Sequence, residues 1–441
     1  MGAPGRAAGQ PAHRQAGPAD RRAGVTAPLT RQGPLLLRNR DFALVWLGQV
    51  FAQGGTRVYQ IGLLWWLLGQ LPEHARGLAS GAFLVVGALP SLLLVRPIGR
   101  LLDRAPSRRV MLRAELVACA VVTVLALFAF ADSVALWAVY PVGLVLAVCQ
   151  AVFDPCLSKS VPELVDEADI ERAVGFEAST QSVANFAGAA FGAVLLATIG
   201  FAGAVALNAV TYALAAGCLW VARFRRVPAA AQGVAESGSG TGEPVGTWAF
   251  LGSLPGVRPL LGCFAAANFF ATPTLLILPL YTRSVLHAGA DTLSRLETAL
   301  WLGLLVGAFA AGHVRVRGRT ARFGAACIAA FALCLGVPGL VDASTAYLVA
   351  LAVGGACLGM SNVKFTALFQ RVVPDGVKGR FFAALQAAVS LTFPVAFLGF
   401  GALGDTVAPQ VLCLVQAGGL VLVAGLLATM REPVATPGSA A

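Results

Sequence analysis

The sequence predicts an all-α membrane protein, with twelve transmembrane helices gathered as two six-helix bundles, and three observations predict it. Of its 441 residues 57% are hydrophobic and only 12% are charged, and the mean hydropathy is +0.76; a soluble protein of this length needs more polar surface. Apolar runs that meet the requirement of about 20 residues per bilayer-spanning helix recur along the chain. The polar gaps between them also repeat. Gly99, Arg104 and Arg109 recur at the same spacing as Gly312, Arg317 and Arg322. Likewise Phe153, Lys159, Val161, Pro162, Glu163 and Val165 are answered by Phe365, Arg371, Val373, Pro374, Asp375 and Val377. The offset is close to half the chain, as expected for one membrane-embedded unit present twice in the same orientation.

Taken in order, the expected spans are 42–70, 78–99, 110–131, 134–156, 173–199, 201–222, 258–283, 292–314, 321–341, 345–369, 380–404 and 407–430. Residues 1–40, rich in Ala, Gly, Pro and Arg with no apolar period, read as a disordered cytoplasmic tail. No apolar signal-peptide core precedes residue 42, so the first span serves as the insertion signal. Residues 41–222 form the first bundle, 223–257 a cytoplasmic linker, 258–431 the second bundle and 432–441 a short cytoplasmic tail. Within the linker, 227–247 (VPAAAQGVAESGSGTGEPVGT) has the composition of a flexible tether.

The formal net charge is +11, and its distribution explains it. Most Lys and Arg residues fall in the tail, the linker and the loops on the same side. The opposite loops hold Arg76, Arg283 and Arg295, while Arg57 and Lys364 lie within spans. That asymmetry places both termini in the cytoplasm and calls for no nucleic-acid partner. The nine cysteines fall mostly inside spans without C-x-x-C pairs, which reads as apolar packing and implies neither a disulfide framework nor a metal site. No nucleotide-binding, nucleophile-elbow or zinc-protease motif occurs, so neither an enzyme nor a cofactor is expected.

Between the second and third spans the chain reads Gly99-Arg-Leu-Leu-Asp103-Arg104-Ala-Pro-Ser-Arg108-Arg109. A glycine there admits a neighbouring helix closely, and Asp103 is suited to face a helix N-terminus or to pair with an arginine. With Arg104, Arg108 and Arg109 it would latch one access state and release the other. In the second copy Val316 takes the place of the aspartate. This stretch resembles the loop signature of the major facilitator superfamily. Four further stretches, Asn39–Gln49 (NRDFALVWLGQ), Asp154–Val165 (DPCLSKSVPELV), Leu207–Tyr212 (LNAVTY) and Pro374–Arg380 (PDGVKGR), resemble its bacterial branch of macrolide and enterobactin exporters.

The resemblance covers roughly residues 38–430. It implies a proton-driven exporter of a medium-sized amphipathic small molecule, monomeric, in a bacterial cytoplasmic (inner) membrane. Uptake by symport, lysolipid flipping and a non-transporting sensor are the alternatives on the same scaffold. Three departures stand out: Thr56 where the branch often has an acid before Arg57, Ala189 and Ala190 after Gly188 where exporters often have Gly-Pro, and Ser107 in a usually basic run.

Polar residues inside the spans nominate the site. Gln49, Gln53, Arg57 and Gln60 share one helix face, and an intramembrane charge costs several kcal/mol unless paired or hydrated. That favours a cavity-lining stripe over a snorkelling arginine. A second stripe, Glu177, Gln181, Asn185, Gly188 and Gly192, runs along span five. Gln181 and Asn185 point to substrate or helix contacts, and the glycines to close packing. Asn362 and Lys364 in span ten are cavity candidates, although Lys364 is near enough to the interface to snorkel.

Proton coupling needs a carboxylate or His whose affinity is tuned by burial. No His is deep and no carboxylate is expected at a helix midpoint, which leaves Glu177, Glu297 and Asp154 as peripheral candidates. Lys159 lies close enough in sequence to pair with Asp154. The depth of Arg57 also suggests a substrate carrying an oxyanion.

Overall fold

The computed structural model describes residues 2, 35–166, 169–225, 257–314, 316, 319–373 and 378–430. The expected tether at 227–247, the tail at 432–441 and, Gly2 apart, the first 34 residues lie outside the described residues. All regular structure among the described residues is helical.

The first half opens with a short helix α1, Leu35–Arg38, and the long α2, Arg40–Gln70. Asn39 joins them. Its side chain accepts from Phe42 N at 3.0 Å, capping α2, and its amide donates to Leu164 O at 2.7 Å. With Leu35 buried, the packed structure begins upstream of the expected boundary at residue 41. Helix α3, Arg76–Leu93, is followed by α4, Val95–Arg104, so the signature expected as a loop is helical through Arg104. Pro97 falls in the first turn of α4, where a missing N–H costs nothing. Next come α5, Ser107–Phe130, α6, Val139–Leu164, and α7, Ile170–Val221. The last is two helices in series, broken at Gly200, whose φ of 68° is readily adopted only by glycine. The break falls between the expected spans 173–199 and 201–222.

The second half contains α8, Val257–Ala271, and α9, Thr274–Ser284. Together they form the expected seventh span, interrupted just before Thr274. Helices α10, Ala290–His313, α11, Thr320–Gly336, α12, Ser344–Val372, α13, Lys378–Gly404, and α14, Pro409–Thr429, complete it.

Ten helical stretches among the described residues are long and apolar enough to cross a membrane. The expected segments outside that set are α2 and the leg of α7 before Gly200. These two carry the polar stripes recognised in the sequence, and polar side chains dilute the hydropathy of a span.

Two large buried clusters pack the first half, one around Met111, Phe153 and Cys156 and one around Leu63, Val122 and Val205, with a small third of Val58, Leu196 and Ala204. A larger cluster around Tyr281, Phe331 and Phe369 packs the second half and also takes in Ile61, Leu68 and Val85 of the first. The halves approach closely where α3 meets α13. A Cβ on Gly77 would run into Gly401 O, and one on Gly81 into Phe397 O. Only glycine permits such backbone-to-backbone contact.

Candidate functional site

Arg57 projects from the middle of α2 into the seam between the halves. Gly188 of α7 makes the room, since a Cβ there would meet Arg57 Cβ and Cγ at 2.6 and 2.5 Å. Its guanidinium Nη2 donates to Glu297 Oε2 of α10 at 3.1 Å. Nη1 reaches Gln60 Oε1 at 3.5 Å, and the group lies 5.6 Å from the Trp301 ring centroid. Glu297 is 5% exposed. An ion pair in this setting recovers the desolvation of its two charges only while both partners are present. One turn further toward the start of α10, Ser294 Oγ donates to Ala189 O of α7. The acid expected to be peripheral is therefore buried and is the counter-ion of the deep arginine.

A second polar cluster lies inside the first half. Glu115 of α5 is 4% exposed and accepts from Gln49 Nε2 at 3.4 Å, and Gln49 Oε1 accepts from Gln53 Nε2 at 3.4 Å. Sequence reasoning missed Glu115. The signal was an acid standing among Ala, Leu and Val in Ser107–Phe130, and its presence corrects the expectation that no carboxylate lies deep in a span. Beside this cluster, Thr56 and Tyr212 hydroxyls are 2.9 Å apart.

Other described polar contacts between the halves lie at the end of the molecule away from α1, the far face. Asp405 accepts from Gly77 N at 2.7 Å and Leu78 N at 2.9 Å, capping the start of α3. Arg283 Nη1 donates to Trp65 O at 3.0 Å and its guanidinium lies 5.1 Å from the Trp65 ring centroid. A cleft of about 410 Å³ opens there between Trp65, Trp66, Leu196, Phe201 and Asp291. At the opposite, N-terminal face the described polar links lie within one half. Arg38 pairs with Asp169, Arg225 with Asp166, and Ser107 donates to Glu163. Among the described residues no hydrogen bond or ion pair joins the halves at that face.

The other expected residues are distributed as follows. Gly99 is exposed with open space beside its Cα. Arg104 and Arg109 are exposed, while Arg108 donates to the carbonyls of Leu219 and Trp220 at the end of α7. The side chains of Asp103, Gln181 and Asn185 lie outside the described residues. Lys364 Nζ donates to Val314 O at 2.8 Å, closing the end of α10. Asn362 is exposed and its carbonyl accepts from Thr366. Glu177 accepts from Ser158 at 2.5 Å. Asp154 accepts from Gln150, whereas Lys159 donates to Leu102 O, so the conceivable Asp154–Lys159 pair is not formed here.

A helical membrane protein whose two halves are joined in the interior and at one face, with no polar link between them at the other among the described residues, has the construction of a membrane transporter. A family model described as transmembrane secretion effector matches residues 32–439. The chain belongs to that family of the major facilitator superfamily. It is 23% identical over 364 residues to macrolide efflux protein A of Streptococcus pyogenes, covering 81% of this chain and 87% of that protein. It is also 23% identical over 417 residues to an uncharacterised MFS-type transporter of Bacillus subtilis, covering 91% and 95%. Among solved structures, a bacterial homologue of the iron transporter ferroportin in its inward-facing state superposes with a TM-score of 0.66 at 15% identity, covering 90% of this chain and 98% of that one. That likeness concerns the fold.

Proposed function

We propose that the chain exports a medium-sized amphipathic organic molecule, of macrolide type or size, across a bacterial inner membrane by proton-coupled alternating access. In this reading it acts as a monomer of twelve spans with both termini and the tether in the cytoplasm. The observation that carries the proposal is the one-sided bridging of the halves. Arg57–Glu297 is the innermost cross-half contact, the others lie at the far face, and the N-terminal face has none among the described residues. Such an arrangement corresponds to a state open to the cytoplasm and closed to the outside. The basic N-terminal face supports the orientation, and the macrolide-efflux relatives support the substrate class.

Within this reading Arg57, Gln53, Gln60, Gln181 and Asn185 line the central cavity, with Asn362 and Lys364 nearer the cytoplasm. Arg57 has its charge matched by Glu297 inside the protein, so an amphipath without an oxyanion fits the site as it stands. Asp103, Arg104 and Arg109 form the cytoplasmic latch of the opposite, outward-open state. In the state at hand Arg104 and Arg109 stand exposed at the N-terminal face.

The test is accumulation of a radiolabelled macrolide in a susceptible bacterium with and without the chain. Lower accumulation with the chain, abolished by a protonophore, is the expected result. Equal accumulation of macrolides and other amphipathic antibiotics in both strains refutes the export reading.

A further inference from the structure

Gln49, Gln53 and Arg57 occupy successive turns of α2, and the stripe ends on a buried carboxylate at each side: Glu115 of the first half and Glu297 of the second. The hydrogen bonds between them have one direction, since Gln53 donates to Gln49 and Gln49 donates to Glu115. The next link is unmade. Gln53 Oε1, an acceptor, and Arg57 Nε, a donor, are both buried without a hydrogen-bond partner, one helical turn apart on the same face. Glu115 Oε2 is also buried without a partner.

The groups facing Glu115 are Gln49 from α2, Cys149 and Asp154 from α6, and Tyr212 from α7. Among the described residues no cation faces it. Glu297, by contrast, has Arg57. One carboxyl is therefore compensated by a fixed charge, whereas the other has no fixed charge beside it among the described residues and is suited to compensation by a proton.

We propose that Glu115 is a proton-binding site of this transporter, and that the proton there decides, through Gln49 and Gln53, whether Arg57 stays on Glu297. With the proton on Glu115 the carboxyl is neutral, the chain from Gln49 to Gln53 is weakly polarised, and Arg57 bridges the halves. Loss of the proton to the cytoplasm leaves an anion at the end of the chain. Hydrogen bonds to an ionised acceptor are stronger, and aligned bonds reinforce one another. The missing Arg57 Nε–H to Gln53 Oε1 link then forms, and Arg57 is drawn off Glu297. The far face is freed to open, and reprotonation from outside resets the bridge. The sequence of events suits exchange of a proton for an exported molecule.

This inference rests on the proton-coupled reading above, and the experiment separates the two. Spin labels at the exposed positions Leu37 and Arg319, in a chain whose native cysteines are replaced, report the width of the N-terminal face in lipid nanodiscs without any substrate. In the wild-type chain the long distance dominates at acidic pH and the short one at alkaline pH. Glu115→Gln keeps the shape and the Gln49 bond but binds no proton, so the shift is lost and the long distance persists at every pH. Glu115→Asp, still titratable, retains a shift at a displaced midpoint. Glu297→Gln removes the bridge that the proton controls, so the short distance gains at acidic pH and the pH-dependent shift shrinks.

A wild-type shift in Glu115→Gln overturns the inference and leaves proton coupling standing. Loss of the shift in both Glu115→Gln and Glu115→Asp makes Glu115 a packing group and overturns it as well. A wild-type chain with no shift at all removes the coupled-transport reading, and the inference with it.

Discussion

Arg57 and Glu297 belong to different halves of the molecule and meet 3.1 Å apart in its interior, with Gly188 shaped to the arginine stem. A charge at this depth is tolerable when matched, and here the match is supplied by the opposite half. Each half is thus electrostatically incomplete alone, and the pair is well placed to be made and broken as the halves move. Breaking one member of a buried pair costs about 3–5 kcal/mol, whereas replacing both is often nearly neutral.

The first prediction follows from that asymmetry. Glu297→Gln and Arg57→Gln each lower the thermal midpoint of the purified protein, because each strands a buried polar partner. The double variant recovers most of the loss while transport stays impaired, since the bridge is gone. A double variant whose loss equals the sum of the two single losses shows that the two residues are not energetically coupled.

Asp405 gives the second. It caps the start of α3 from the opposite half through two backbone N–H groups, and hydrogen bonds to a charged group contribute roughly 1.5–3 kcal/mol. Asp405→Asn weakens closure of the far face by about tenfold, on the order of 1.4 kcal/mol. Spin labels at Ser133 and Leu340 report it as a larger population of the long distance. An unchanged distribution means that glycine packing alone holds the face shut.

Much of the architecture was legible in the sequence because the membrane imposes a long, simple period, and even the break at Gly200 fell between two expected spans. The polar stripe on α2 was legible as well, since its members lie one turn apart. The partners of that stripe were not. Glu115 and Glu297 reach it from α5 and α10, and no local spacing records which helices become neighbours. Asp405 and Gly77 are 328 residues apart, and nothing near either one announces the other. Glu115 was missed because depth along a span was judged by position, while its shielding comes from helices packed around it.

The third prediction contrasts two glycines of the first half. Gly77→Ala puts a methyl group into Gly401 O and cannot be absorbed without separating α3 from α13, so it opens the far face and lowers the thermal midpoint. Gly99 has open space around it in this state. Gly99→Ala leaves the midpoint unchanged and slows transport, because its penalty is felt when another helix closes on α4. Equal thermal effects of the two substitutions contradict the assignment of these glycines to different states.

The fourth concerns the expected latch. Asp103→Asn removes the acidic member of the signature without touching the Arg57 region, so under the proposed function substrate binding and membrane insertion persist while the transport rate falls severalfold. The effect is on the equilibrium between access states. Export at the wild-type rate takes Asp103 out of the gating machinery.

Under the proposed function Arg57 and Glu297 form a bridge that is made and broken in each cycle, and exchanging their charges probes that bridge itself. Arg57→Glu combined with Glu297→Arg restores the attraction across the seam, whereas each single change places like charges together. The measurement is export of a radiolabelled macrolide from cells carrying each variant at matched expression. Both single variants are expected to lose export, and the exchanged pair to recover a substantial part of it. Single variants that export at the wild-type rate, or an exchanged pair no better than either, contradict that role of the bridge.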